Sequence, residues 1–399
     1  MAREPAINTK AAFYAFVKRL RHDRAGNRLL DLLDQVDIDL VLDPDHYNNP
    51  ILVLDPAVEF TVESKKHGRR VLLFPSVSLF TLTSKVRCAS ISLPAGPPGL
   101  DGTCAASALG EELGFLCWGC YALRNNYTYG STQLGQLTRL AWLSRQGKKL
   151  APQLAYALEA FNVHPRKVKV NLPKGRPSGK KTSTVPIDHR FFRLHDCGDF
   201  FSKDYYDAWL EVIEQDQEHL YWAPTRLWAT SKGASWFGPR PKNYVLRPSS
   251  LMFQAPPATV RGLDAGSSSA DKKRLPAGTR NCPAYSTSTD GVSCVTANRG
   301  KGCRLCWLEP QTPVNYEPHG VSDKQAKRNP EQSLDELFEQ YQHDAGARTN
   351  PSSSEPYFEA WLGRAGARDE GEWLVWLEER GITGTEAYDY LASHAEWWM

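Results

Sequence analysis

The chain has 399 residues, of which 41% are hydrophobic and 23% charged, and a formal net charge of +3. This composition is ordinary for a globular protein with a large core, and a charge so near neutral names no nucleic-acid partner by itself. No stretch approaches the roughly 18 apolar residues of a membrane span. Met1-Ala2-Arg3-Glu4-Pro5 does not open a secretory signal, so the expected location is the cytoplasm, where clustered cysteines are more often metal ligands than disulfides.

Residues 8–35 read as helical, with apolar positions Phe13, Phe16, Val17 and Leu20, then Leu29, Leu30, Leu32 and Leu33, broken near Gly26-Asn27. Turn residues follow at Asp43-Pro44-Asp45 and Asn48-Asn49-Pro50. Beyond them, residues 51–55, 58–63 and 71–74 are expected to form three short strands of an antiparallel meander. Together these make an N-terminal α+β module, residues 1–80.

An α/β core is expected over residues 81–321. It opens with a strand at 86–93, which feeds the turn Pro94 to Gly99, and continues with helices at 132–146 and 153–160. Arg166, Lys167, Lys169, Lys174, Arg176, Lys180 and Lys181 then crowd one acid-free segment, expected to be a mobile cationic loop. Such a loop is either simply solvated or contacts the phosphate backbone of a nucleic acid. The clearest unit comes next. A strand ends at His195, Ser202 can cap a helix with apolar face Tyr205, Trp209, Leu210 and Ile213, and residues 220–223 form a second strand. That βαβ pattern predicts parallel strands with ligands at their carboxyl ends, here His195-Asp196-Cys197-Gly198-Asp199. Short strands are expected at 244–247 and 314–318, and a loop-like stretch at 256–280. Residues 322–399 read as an acidic helical tail bearing Trp373, Trp376, Trp397 and Trp398.

Seven of the nine cysteines fall into two groups: Cys104, Cys117 and Cys120, then Cys282, Cys294, Cys303 and Cys306. Three thiolates leave one position open on a bound centre and four close it, which assigns reactivity to the first group and structure to the second. The first group suits an iron–sulfur centre, zinc or a redox dithiol; the second suits zinc or an auxiliary iron–sulfur cluster. Cys88 and Cys197 read as buried apolar residues. His195 and Asp196 stand where substrate could bind, although a hydrogen-bonded core histidine fits as well. No Walker loop, GxGxxG, HExxH or nucleophile elbow is present, so nucleotide hydrolases, Rossmann dehydrogenases, zincins and serine hydrolases lose support.

The motifs Cys117-Trp-Gly-Cys120-Tyr-Ala, Phe192-Arg-Leu-His-Asp-Cys-Gly-Asp-Phe-Phe-Ser202, Asn281-Cys-Pro-Ala-Tyr285, Asp290-Gly-Val-Ser-Cys294 and Cys303-Arg-Leu-Cys306-Trp307 lie within residues 85–320. They resemble the bacteriophage gene product 88 family, whose pattern is similar to that of radical-S-adenosylmethionine-like proteins. The resemblance implies a TIM-type barrel, complete or incomplete, with the N-terminal module and helical tail appended. It implies a 4Fe-4S cluster on Cys104, Cys117 and Cys120, with S-adenosylmethionine at the open iron and Gly198-Asp199 holding its ammonium group. A nucleotide, nucleic acid or modified base would be the substrate, in the host cytoplasm. The spacing differs from the usual motif, with twelve residues in the first gap and a glycine before Cys120. The alternative is a zinc-stabilised, non-enzymatic nucleic-acid-binding or accessory protein.

Overall fold

The computed structural model describes residues 10–22, 28–46, 48–64, 68–83, 86–108, 116–117, 120–123, 125–171, 182–230, 233, 235–251, 255–270, 275–283, 294 and 303–317. The acidic tail at 322–399 lies outside the described residues, as do Lys174, Arg176, Lys180 and Lys181.

At the N-terminus, helices α1 (Lys10–Leu20) and α2 (Leu29–Leu33) fall where the apolar spacing places them. The meander that follows differs from expectation. It consists of β1 (Asp37–Asp43), β2 (Asn49–Ser64) and β3 (Gly68–Ser78), antiparallel in that order. The two short strands expected at 51–55 and 58–63 are one long strand. Asp55-Pro56 marks no turn; it lies in a bulge where the register with β3 jumps from Val53–Ser76 to Val58–Phe74, so the irregular pairing absorbs the proline.

The central sheet is ordered β10-β9-β8-β5-β4, from β4 (Thr81–Thr83), β5 (Cys88–Ser92), β8 (Phe191–Cys197), β9 (Leu220–Thr225) and β10 (Tyr244–Pro248). Strands β5, β8, β9 and β10 are mutually parallel, while β4 pairs antiparallel to β5 at the edge. A bridge from Ser249 to Ser267 extends the parallel row to β11 (Ser267–Ser268), which pairs with β13 (Val314–Asn315), itself paired with β12 (Arg280–Asn281). No pairing closes this row into a barrel among the described residues. The predicted βαβ unit is present: Ser202 accepts the Tyr205 N–H with its side chain and opens α5 (Lys203–Gln215) between β8 and β9.

Side chains alternate across the parallel strands, and both faces are covered. Phe192, Leu194, Tyr221, Ala223, Tyr244 and Leu246 join α5, α3 (Gly130–Arg145) and α4 (Leu150–Asn162) in the main core. Leu33, Ile38, Leu52 and Val58 of the N-terminal module belong to the same core. Trp142 and Trp209 are fully buried there, large apolar surfaces worth about 3 kcal/mol each. Phe191, Trp222 and Val245 point the other way and pack against Cys282, Cys294, Cys306 and Trp307, the last two in the short helix α6 (Leu305–Leu308).

Two loop expectations change. Arg166 to Asn171 is not free loop: β6 (Lys167–Asn171) pairs antiparallel with β7 (Thr182–Pro186), because Val168 and Val185 alternate with polar neighbours and can form a hairpin. The stretch read as loop at 256–280 contains β11, where Ser267 and Ser268 are 2% exposed. Their hydroxyls bond Ser249 Oγ at 3.1 Å and Asn315 Oδ1 at 2.9 Å, which is what lets serines occupy a buried strand.

Candidate metal centre

A cavity of about 190 Å³ opens at the carboxyl ends of the parallel strands. Cys104, Cys117 and Cys120 line one side, and Gly198 and Asp199 follow β8. Thr225 and Arg226 close β9, Ser249 and Ser250 follow β10, Ser269 follows β11, and Glu317 follows β13. The three predicted thiols and the predicted Gly198-Asp199 pair are therefore brought to one place, at the strand ends where α/β sheets bind ligands.

The loop carrying Cys104 is folded tightly. Thr103 N donates to Pro94 O at 2.8 Å, Cys104 N to Gly96 O at 2.9 Å, and Gly102 N to Pro97 O at 3.1 Å. The buried Arg21, at the end of α1, fastens the same loop by donating to Ala95 O, to Leu100 O at 3.3 Å and to Gln133 Oε1 of α3. Burial lowers the Arg21 guanidinium to about 10, against the raising influence of Cys197, Asp101 and Cys104. Phe13, Phe16 and Val17 of α1 pack with Ala95, Ala122, Leu123 and Cys197, and Cys104 and Cys120 lie against this cluster.

At the next strand end, Gly198 has φ +86° and no room for a side chain: a Cβ would stand 2.5 Å from Thr103 Oγ1. Asp199 is buried and held by three donors. Phe200 N at 2.9 Å and Thr225 Oγ1 at 2.8 Å meet Oδ1, and Arg226 N at 2.9 Å meets Oδ2. Burial raises its carboxyl to about 6, and those bonds restrain the rise. Asp199 thus joins the ends of β8 and β9 while lining the cavity.

Sequence reasoning missed Arg226. Its Nε donates to Ser250 O at 3.0 Å, and its side chain hydrogen-bonds the Cys117 thiol. Burial pushes Cys117 up to about 11 even so, and raises Cys104 well above the ordinary thiol range, with Asp199 and the neighbouring thiols adding to the rise. The available signal was a basic residue directly after the second strand of the βαβ unit. Cys197 lines the cavity as well, at the end of β8. Deeper in the cavity, the Arg193 guanidinium lies 5.0 Å from the centroid of Trp222, and the Tyr121 hydroxyl donates to Asp196 O.

His195 lines the cavity as well, but its ring is committed to the core. Its Nε2 is 3.1 Å from the Tyr205 hydroxyl, its ring is 4.5 Å from Phe200, and burial followed by the charge of Arg193 lowers it to about 3. It is a neutral core histidine at positive φ, 62°.

Cys282, Cys294, Cys303 and Cys306 gather on the opposite face from the helices, with Cys88 beside them. Cys282 hydrogen-bonds Cys294 and lowers it, Cys303 N donates to Cys294 O at 2.6 Å, and Cys306 Sγ is 3.1 Å from the Tyr316 hydroxyl. Arg304 is buried over Phe191 at 4.4 Å and bonded to Val86 O, and its charge helps to lower Cys294. Arg247 is wholly buried and donates to the carbonyls of Ala265, Leu305, Glu309 and Thr312, fixing this segment to β10. Among the described residues no three Cys, His, Asp or Glu side chains stand as a ready single-ion site. The donor set of the first group still fits a thiolate-bound centre: three soft sulfurs face one cavity with a guanidinium beside them.

Of the cationic segment, Lys167 is exposed on β6. Arg166 stacks 5.0 Å from the centroid of Phe161 and donates to His46 O at 3.2 Å. No described helix is long and apolar enough to cross a membrane.

No curated protein and no solved structure matches the chain. A family model described as gene product 88 matches residues 61–308, a span that includes β3, the parallel strands of the central sheet and all seven clustered cysteines. This match covers more than half of the chain, and the chain therefore belongs to the gene product 88 family, a bacteriophage gene-product family.

Proposed function

We propose that the chain is an iron–sulfur, radical-S-adenosylmethionine-like enzyme built on an incomplete barrel, acting on a nucleotide, nucleic acid or modified base. One observation carries the reading. Cys104, Cys117 and Cys120 line a single cavity at the carboxyl ends of a parallel sheet, beside Gly198-Asp199. When bound there, a 4Fe-4S cluster with an open iron supplies the electron for reductive cleavage of S-adenosylmethionine.

The chain's own residues bind and orient. The 94–104 loop presents Cys104, and Arg21 holds that loop down. Asp199 keeps β8 and β9 in line at the cavity, and its unused lone pair on Oδ2 is the acceptor offered to an ammonium group. Ser249, Ser250 and Ser269 place polar groups along the rim formed by β10 and β11, where substrate hydroxyls and amides can be matched. The second cysteine group packs against Trp222 on the face opposite the helices, and is assigned a closed site of zinc or an auxiliary cluster.

Anaerobic purification with metal analysis and an absorbance spectrum tests the reading. Iron with a band near 400 nm that bleaches with dithionite, lost in Cys117→Ala without loss of fold, is the expected result. Zinc alone, or unchanged iron in Cys117→Ala, overturns it.

A further inference from the structure

Three sulfurs lining one cavity pose an electrostatic problem. As thiolates they repel one another, and Asp199 adds to that repulsion at Cys104. A bound centre needs a cation nearby, and the described residues offer three candidates. Arg21 commits its donors to Ala95, Leu100 and Gln133. Arg193 lies over Trp222, deeper in the cavity, with its guanidinium 3.5 Å from the Tyr121 hydroxyl. Arg226 is the one whose charge acts on Cys117, Cys120 and Cys104 together.

The position of Arg226 is also fixed from two sides. Its backbone N–H is held by Asp199 Oδ2 at 2.9 Å and its Nε by Ser250 O at 3.0 Å, so the guanidinium is braced between the ends of β8 and β10 before any centre binds. Arg226 lines the same cavity as Cys104, Cys117 and Cys120, and its side chain hydrogen-bonds the Cys117 thiol. A fixed cation in a confined cavity offsets negative charge more strongly than a mobile one in water.

We propose that Arg226 is the counter-cation of the three-cysteine centre, a positioning residue that retains the metal and raises the reduction potential of the cluster. The part concerning potential rests on the iron–sulfur reading above; the part concerning metal retention does not. A positive charge beside a cluster favours the added electron, and a hydrogen bond to a ligating sulfur acts in the same direction.

Arg226→Gln and Arg226→Lys, purified anaerobically from the full chain, test this, with circular dichroism melting as the check on fold. The measurements are metal per chain, the rate of metal loss to a chelator, and the midpoint potential followed at 400 nm. Arg226→Gln is expected to lose metal several-fold faster than the parent and to shift the midpoint to more negative values, with Arg226→Lys between the two. If Arg226→Gln folds and matches the parent in both quantities, the proposal fails while the iron–sulfur reading stands. Equal losses in Arg226→Lys and Arg226→Gln also overturn it, since charge would then not be the cause. Should the parent hold only zinc, the iron–sulfur reading fails, yet faster zinc loss in Arg226→Gln still supports the counter-cation. If Arg226→Gln does not fold, Arg226→Met takes its place, and a folded Arg226→Met that matches the parent in both quantities overturns the proposal.

Discussion

Thr103 Oγ1 accepts the Asp199 N–H at 3.0 Å and donates to Pro94 O at 2.9 Å. One hydroxyl thus locks the loop that presents Cys104 against the strand end that presents Asp199. The spacing of those two side chains is set by covalent neighbours of this bond.

Gly198 allows that approach. Alanine there would place its Cβ 2.5 Å from Thr103 Oγ1 and 2.7 Å from Leu93 Cβ, at a φ that L-residues avoid. Gly198→Ala should destabilise the protein by about 1–3 kcal/mol and lower the metal bound per chain, measured by thermal melting and elemental analysis. Thr103→Val, which removes the bond but not the volume, should cost about 1–2 kcal/mol. Unchanged metal content in both would show that the clamp does not govern the centre.

Arg21 lies outside the family match, at the end of a helix that the sequence alone assigns to a separate module. Its side chain is 1% exposed and serves three acceptors around the cysteine loop. Arg21→Met should cost about 3 kcal/mol, because buried carbonyls lose their donor, and should speed proteolysis within residues 94–108. A melting temperature equal to the parent's would remove α1 from the account of the site.

His195 makes stability depend on pH. Its folded pKa of about 3 lies below the unfolded value of 6.5, so the unfolded chain binds the extra proton between those limits. The contribution is complete above pH 6.5 and is lost progressively as pH falls toward 3, at about 1.4 kcal/mol per unit. Denaturant melts of His195→Asn, which tolerates the positive φ, should show a shallower decline from pH 6.5 to 4 than the parent. An identical slope would contradict the assignment of a buried neutral imidazole.

Arg247 donates to four carbonyls at 2.6–3.3 Å, of which those of Leu305, Glu309 and Thr312 anchor the end of the four-cysteine segment. Arg247→Met should destabilise by about 3 kcal/mol or more and release metal from Cys282, Cys294, Cys303 and Cys306 before it affects the first centre. Elemental analysis of Arg247→Met in a background lacking the first group's Cys117 would separate the two.

The βαβ unit was legible because each of its signals is local: Ser202 as cap, apolar residues at helical spacing, and β-rich flanks. The meeting of Cys104 with Gly198-Asp199 was implied by the family resemblance, while the strand-end argument by itself reached only His195 to Asp199. Arg226, Arg21 and Arg247 were not, since each acts across 58 residues or more or between segments whose proximity no periodicity encodes, as in the bond from Arg247 to Leu305. The buried serines of β11 were misread because hydroxyls signal exposure unless partners such as Ser249 and Asn315 are known to be waiting. Pro56 was misread for a related reason: a bulge can absorb what looks like a stop.

Strands β5, β8, β9 and β10 stand side by side in the order in which they occur in the chain. During synthesis each can add to a single growing edge, and every residue of the first thiol group, together with Arg226, emerges well before Cys282. The three thiols and Arg226 can therefore come together on the ribosome before the second cysteine segment, and Glu317 of the cavity wall, have been made. Arrested nascent chains ending near residue 275 would be the natural intermediates in which to look for early metal loading.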